Sequence, residues 1–355
     1  MKFIIIDELL KNPEIVIPAK AGIWNILDLL VSGVRRNDGK CCFPTFYRIF
    51  TFAFLVCLFA TSAWSGSRTV IDQVGRSVTV PSNPQRIVAL APSITEIVFA
   101  LGQEHRLKGV TQFSDYPAEA EKIPVVGSYV NLDIEKIVAL KPDLCIAIKD
   151  GNSRNTVQQL ESFNIPVYAV NPKNLESVME TVVEIGKLLG VHEKAKSLVD
   201  NMYARAERVK ALVLKTKSRP RVFFQIGIAP IVSVGTHTFI HELITRAGGQ
   251  NLTEGPIPYP RYSREQVLAM APEVFIITSM ARGEVFEKVK ADWSRWKDLP
   301  AIKNNRIYLV DSNILDRPTP RLVDGLEMLV KIIHPELFSN KSGSQFRGSR
   351  FKVRE

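Results

Sequence analysis

The stretch Leu175–Leu214, LESVMETVVEIGKLLGVHEKAKSLVDNMYARAERVKALVL, divides the chain into two similar halves. Its apolar residues recur at helical spacing: Leu175, Val178, Met179, Val182, Ile185 and Leu189, then Leu198, Met202, Val209 and Val213. Gly190, followed by His192, marks a break between two helices, the second long and charged on its outer side. Short β-rich runs alternate with helical ones before this stretch, and the same alternation resumes after it. The stretch is therefore expected to be a rigid strut joining two α/β lobes, with the working cleft between them.

Upstream of the strut, Arg68–Pro84 reads as two short strands around Gly75, and RIVAL (Arg86–Leu90) as a buried strand. A helix over about Ile94–Leu101 follows, closed by Gly102; Ser93 or Thr95 is its expected cap, with Glu96 in the first turn. Lys108–Thr111, Leu144–Ile148 and Val167–Val170 complete a mostly parallel sheet. Downstream, Lys217–Pro220 is a basic turn, and Val222–Gln225, Ile231–Val234, Val274–Thr278 and Ile307–Val310 are strands. Thr238–Ala247 reads as a helix ended by Gly248 and Gly249, and the terminal helix spans about Leu322–Ile333. Alternating strands and helices imply parallel sheets with right-handed crossovers.

An internal repeat supports two equivalent lobes. EKIVALKPDLCIA (Glu135–Ala147) is echoed by EQVLAMAPEVFII (Glu265–Ile277): a Glu, a short helix, a Pro, an acidic residue and a strand. The expected division is a lobe over residues 66–173, the strut over 174–216 and a second lobe over 217–338. A basic, disordered tail is expected over residues 339–355.

The net charge of +10 is partly a matter of ends, since Lys341–Glu355 alone carries five basic residues and one acidic. With no basic groove interleaved with aromatics, nucleic acid is not an expected partner. Arg48, the apolar run Ile49–Ala60 and the small residues after it form a secretory signal over Tyr47–Ser65, cut after Ala63 or Ser65. Residues 1–46 precede this signal and hold no Met after Met1, so they are expected to be an upstream extension absent from the natural product. The mature chain keeps one cysteine, Cys145, inside an apolar run. It forms no internal disulfide and is expected to be a small buried side chain.

In open α/β sheets, ligands sit beyond the carboxyl ends of the strands. The loops expected there carry Phe113, Tyr116, Tyr129, Tyr259 and Tyr262, flat faces suited to a large planar ligand. Arg317, in DRPTPR, can pair an anionic ligand group or fix its own loop. His237 and His241 lie four apart, but no third His or Cys is near and no HExxH occurs; His237 is kept as a ligand contact, and no metal centre is expected. No nucleophile elbow, dinucleotide fingerprint or P-loop is present, so an enzyme is not expected. Glu135 and Glu265 each open a short helix. There they serve the helix dipole, or present matched carboxylates to arginines of a two-fold symmetric partner.

At this point the chain resembles the periplasmic substrate-binding proteins of ABC importers, in the class serving cobalamin, haem and ferric siderophores. The likeness points to the cobalamin-binding branch. It covers about Arg68–Phe338 and rests on a set of motifs: DQVGRSVTVP from Asp72 running on to RIV, PSITE (Pro92–Glu96), FSDYP (Phe113–Pro117), IVALKPDL (Ile137–Leu144), AGGQN (Ala247–Asn251), SREQVL (Ser263–Leu268), and SN (Ser312–Asn313) with RPTPR. The resemblance implies two Rossmann-like lobes with parallel-rich sheets on a long helical strut, the helical-backbone metal receptor type. It implies a monomeric periplasmic carrier that closes only slightly and catalyses no reaction. Glu135 and Glu265 fall where the family docks on permease arginines. Phe113, Tyr129 and Tyr259 match aromatic positions of the family's pocket. Ile148 stands for a pocket Trp, Ile226 for a pocket Phe and Asn313 for a ligand-contacting Asp, while Arg317 keeps the adjacent Arg. A corrinoid carrier is thus the leading expectation. A haem or ferric-siderophore carrier is second, favoured by a basic pocket, and a metal-dependent hydrolase on His237 and His241 is third.

Overall fold

The computed structural model describes residues 66–278 and 284–338. The expected secretory signal, upstream extension and basic tail lie outside the described residues.

The chain enters through an antiparallel hairpin, β1 (Ser67–Ile71) and β2 (Ser77–Pro81). Buried Asp72 organises its turn, accepting hydrogen bonds from the Val74 and Arg76 amides and from the Arg76 side chain. The N-terminal lobe then runs β3 (Ile87–Ala89), α1 (Pro92–Ala100), β4 (Leu107–Gly109), α2 (Ile134–Ala139), β5 (Leu144–Ile148), α3 (Arg154–Ser162) and β6 (Val167–Val170). Its four strands are all parallel, in the order β4-β3-β5-β6.

The strut is α4 (Leu175–Leu188) and α5 (His192–Val213). Asn174 and Ser177 form a capping box at its start, and Gly190, at φ +73°, turns the chain between the helices. At 1.5 Å per residue the 22 residues of α5 span about 33 Å. The buried face of α5 is Ala195, Val199, Met202, Ala206 and Val209, while Leu198, expected on it, is only half-buried. The cause is the close crossing with α4: a Cβ on Gly186 would lie 2.4 Å from that of Ala195, so the helix rotates to put its small residues there.

The C-terminal lobe follows as β7 (Arg221–Gln225), β8 (Ile231–Val232), α6 (Phe239–Arg246), β9 (Gln250–Asn251), β10 (Arg261–Tyr262), α7 (Arg264–Met270), β11 (Val274–Ile277), α8 (Glu284–Ser294), α9 (Pro300–Lys303), β12 (Ile307–Leu309), α10 (Ser312–Leu315) and α11 (Leu322–Ile333). Its parallel sheet has the order β12-β11-β7-β9. Counted from the first strand of each lobe, both sheets follow one order, second-first-third-fourth. The repeat read in the sequence is therefore a repeat of topology. It extends to backbone detail, since Lys141 and Ala271 occupy equivalent positions at φ 47° and 44°, each before a proline. Asp143 accepts the Arg86 amide and Glu273 the Arg221 amide. Arg86 and Arg221 in turn donate to the carbonyls of Leu140 and Met270 at the ends of α2 and α7.

Strand residues alternate between two cores, as a period of two requires. Ile87, Leu144, Ile146, Val222, Phe224 and Ile276 share one continuous core with α1, α4, α5, α6 and α11. The opposite sheet faces pack separately, against α2 and α3 in one lobe and against α7, α8 and α9 in the other. The strut thus lies under both sheets and joins them through one apolar interior. Arg205 of α5 adds an ion pair to Asp324 and Glu327 of α11.

Two local expectations are corrected. Neither Ser93 nor Thr95 caps α1: Pro92 occupies its first turn, the cap residue is Ala91, and both hydroxyls are buried inside the helix. Glu96 consequently sits beyond the first turn. The strand expected over Ile231–Val234 ends at Val232 and pairs antiparallel with β10 instead of joining the main sheet. Cys145 is fully buried, and burial pushes its thiol well above the ordinary range.

Candidate ligand-binding cleft

The carboxyl ends of β3 and β5 are tied together by one side chain, Asn152. Its Oδ1 accepts from the Ile148 amide (2.8 Å), and its Nδ2 donates to the carbonyls of Leu90 (2.9 Å) and Tyr129 (2.6 Å). The turn Asp150-Gly151 precedes it. The Tyr129 ring lies on Gly151 so closely that a Cβ there, at φ +138°, would be 2.5 Å from ring carbons. Asn152 and Gly151 together hold Tyr129 over the strand ends.

The FSDYP segment is anchored from below. The buried Ser114 hydroxyl hydrogen-bonds those of Thr95 (3.0 Å) and Thr111 (3.2 Å). This leaves Phe113 and Tyr116 on the surface, 37% and 45% exposed. In the other lobe, the segment bearing Tyr259 is fixed by the Gly235 amide donating to Pro258 O (2.8 Å) and the Ser233 amide donating to Pro260 O (3.0 Å). Buried Asn251 and Thr253, from the AGGQN motif onward, both donate to Val234 O and brace that turn. Tyr259 stays 42% exposed, and Ile257 beside it is exposed as well. Large exposed apolar side chains on both lobes are a feature of ligand surfaces. Tyr262 belongs elsewhere: its ring packs edge-on against Phe223 in the core, 6.1 Å between centroids.

The two lobes meet in a network of charge. Glu96, buried in α1, receives Arg317 (3.0 Å) and both Nε and Nη2 of Arg321 (2.8 and 2.9 Å). Arg317 also donates to Asp115 (3.0 Å) and to Phe113 O (2.7 Å), and is itself only 9% exposed. Asn313 donates to Asp115 at 3.4 Å, and the Arg321 guanidinium lies 3.6 Å from the centre of the Tyr116 ring. Of the two roles open to Arg317, the geometry shows loop and lobe fixation. Asp316, beside it, accepts from the Thr278 hydroxyl at the end of β11 (3.1 Å). Burial outweighs that bond and pushes its carboxyl up to about 7.

Burial and the Asp150 carboxylate raise both the Tyr129 and Tyr259 phenols, and Asp316 and Tyr129 add to the effect on Tyr259, which reaches about 12. Ile148 is buried and Ile226 half-buried in the continuous core. His237 stands exposed just before Thr238, whose hydroxyl caps α6. His241 faces Asn251 (3.0 Å). Among the described residues no three His, Cys, Asp or Glu side chains converge as a metal centre would. Glu135 and Glu265 occupy the second position of α2 and α7, exposed, behind equivalent caps, Asp133 and Ser263. Sequence reasoning missed Asn152 and the inter-lobe role of Glu96 and Arg321. DGNS after a buried strand is a turn signal that could have pointed to Asn152.

No helix among the described residues is long and apolar enough to cross a membrane. The family described as periplasmic binding protein matches residues 87–314. The vitamin B12-binding protein of Vibrio parahaemolyticus is 31% identical over 253 residues, covering 70% of this chain and 90% of that protein. The periplasmic vitamin B12-binding protein BtuF of Vibrio cholerae superimposes with TM-score 0.63 at 28% identity, over 73% of this chain and all of that one. A periplasmic haem-binding protein from Pseudomonas aeruginosa gives 0.66 at 28% identity, over 71% and 93%. The matched proteins are ligand carriers, not enzymes, and the chain belongs to the periplasmic binding protein family, in the class built as two α/β lobes on a helical strut.

Proposed function

We propose that this protein captures a corrinoid, a cobalamin-like metal chelate, between its lobes and delivers it to an ABC importer permease. The observation that carries this reading is the set of large aromatic side chains on the two lobes: exposed Phe113, Tyr116 and Tyr259, with Tyr129 laid on Gly151 and held by Asn152 at the strand ends. A flat macrocycle is the ligand such faces suit. Arg317 is taken up by Glu96, Asp115 and Phe113 O, so the basic pocket that would favour an anionic siderophore lacks its main cation. Relatives that bear the name vitamin B12-binding protein support the same choice. In this reading Phe113, Tyr129, Tyr259 and Asn313 line the ligand, Arg317 shapes the floor beneath it, and exposed His237 is a peripheral contact.

Glu135 and Glu265 form the docking pair. They sit at equivalent places on equivalent helices, one per lobe, as two matched halves of a permease would require. The Ser263 hydroxyl and the amides at the helix start hold the Glu265 carboxyl below its ordinary range, so it presents a charge. The signal over Tyr47–Ser65 sends the chain to the periplasm, where it works as a monomer. Titration with cyanocobalamin, followed by tryptophan fluorescence and corrin absorbance, tests the ligand. Saturable one-to-one binding is the expected result, and no binding at millimolar ligand would overturn the corrinoid assignment.

A further inference from the structure

The charges where the lobes meet cancel. Glu96 and Asp115 stand against Arg317 and Arg321, and both guanidiniums are engaged by those carboxylates or by backbone carbonyls. Neither arginine is therefore left free to pair an anionic ligand group. Asp150 is exposed and opens the turn before Gly151, directly beside the Tyr129 ring that rests on that glycine.

We propose that the cleft selects its ligand by charge. The Asp150 carboxylate, exposed beside the Tyr129 ring, admits neutral or cationic chelates fringed with amide donors and turns away chelates that carry carboxylates. This inference rests on the metal-chelate reading above and adds the ligand's charge class. An amide N–H meeting Asp150 gains a charge-assisted hydrogen bond. A carboxylate meeting it at a few ångströms, in the intermediate dielectric of a cleft, loses roughly tenfold in affinity.

Two probes at opposite ends of the charge scale test it: haemin, with its two propionates, and net-neutral, amide-fringed cyanocobalamin. Each is titrated into the wild-type protein, Asp150→Asn and Asp150→Glu, at low and high salt. Wild-type protein is expected to bind haemin weakly and to tighten as salt screens the repulsion. Asp150→Asn is expected to tighten haemin about tenfold at low salt and to flatten its salt dependence. Asp150→Glu restores the charge and is expected to keep haemin weak. An unchanged haemin affinity in Asp150→Asn, including none in either protein, overturns the proposal, as does wild-type haemin binding that weakens with salt. The two readings fail separately. Corrinoid binding with no gain for haemin sinks charge selection and leaves the corrinoid assignment, whereas a gain for haemin without corrinoid binding does the reverse.

Discussion

Glu96 of the N-terminal lobe and Arg321 of the C-terminal lobe form a bidentate pair, at 2.8 and 2.9 Å, with Arg317 as a third partner on the same carboxylate. Glu96 is buried and Arg321 largely so, and removing the carboxylate takes from two guanidiniums the anion they share, leaving Arg321 its bond to Asn313 O and Arg317 its bonds to Asp115 and Phe113 O. Glu96→Ala is expected to cost about 3–5 kcal/mol in urea unfolding, the range for breaking a buried pair. Glu96→Gln keeps the shape and should fall between. A loss under about 1 kcal/mol would place the pair with ordinary surface bridges and remove its role in joining the lobes.

Tyr129 is positioned by what lies beneath it. At Gly151 an added methyl would meet the ring at 2.5 Å, in a backbone conformation that side chains rarely adopt. Gly151→Ala is therefore expected to displace the ring and weaken cyanocobalamin binding by tenfold or more, at a stability cost of about 1–3 kcal/mol. Tyr129→Ala should weaken binding comparably without the backbone strain. Equal affinity in all three proteins would remove Tyr129 from the ligand surface.

The strut and the two lobes were legible because their signals are local. Helical spacing from Leu175 to Val213, and the echo of Glu135–Ala147 in Glu265–Ile277, each fall within a short window. The equivalence of Arg86 and Arg221 was not, since an arginine before a strand looks the same whether or not it reaches a helix end. The inter-lobe network was hidden for the same reason at greater distance: Glu96 and Arg317 are 221 positions apart, and no spacing rule relates them. Read alone, Glu96 is a helix residue near an N-terminus, and only the position of Pro92 shifts it away from that role. Tyr262 shows the opposite error. An aromatic beside Tyr259 in sequence looked like ligand surface, yet β10 turns it onto Phe223.

Asp316 gives the fold a pH dependence. Burial lifts its carboxyl from an ordinary 3.8 to about 7, so the folded state holds a proton that the unfolded state has released. The stabilisation is complete below about pH 4 and is lost as pH rises toward 7, by an amount on the order of a few kcal/mol. Asp316→Asn mimics the protonated form. It is expected to raise stability at pH 8, to change little at pH 4, and to flatten the curve between. Thermal melts across that range measure this, and parallel curves for the two proteins would show that Asp316 titrates normally.

Glu135 and Glu265 offer a separation of capture from delivery. Both are exposed, on α2 and α7, while the caps that hold those helices are Asp133 and Ser263. Replacing either Glu by Lys therefore leaves the helix caps in place. Neither residue belongs to the Tyr129–Tyr259 cleft, so ligand affinity should stay within about twofold for each variant and for the pair, since well-separated sites act independently. Delivery should respond differently. Each reversal sets like charges against the permease and is expected to lower uptake by tenfold or more, with the double variant lower still. Uptake of labelled cyanocobalamin by cells carrying the importer, set beside titration of the same purified variants, measures both. Reversals that leave uptake intact would return the two glutamates to helix-dipole partners, whereas loss of binding together with uptake would place them in the ligand site.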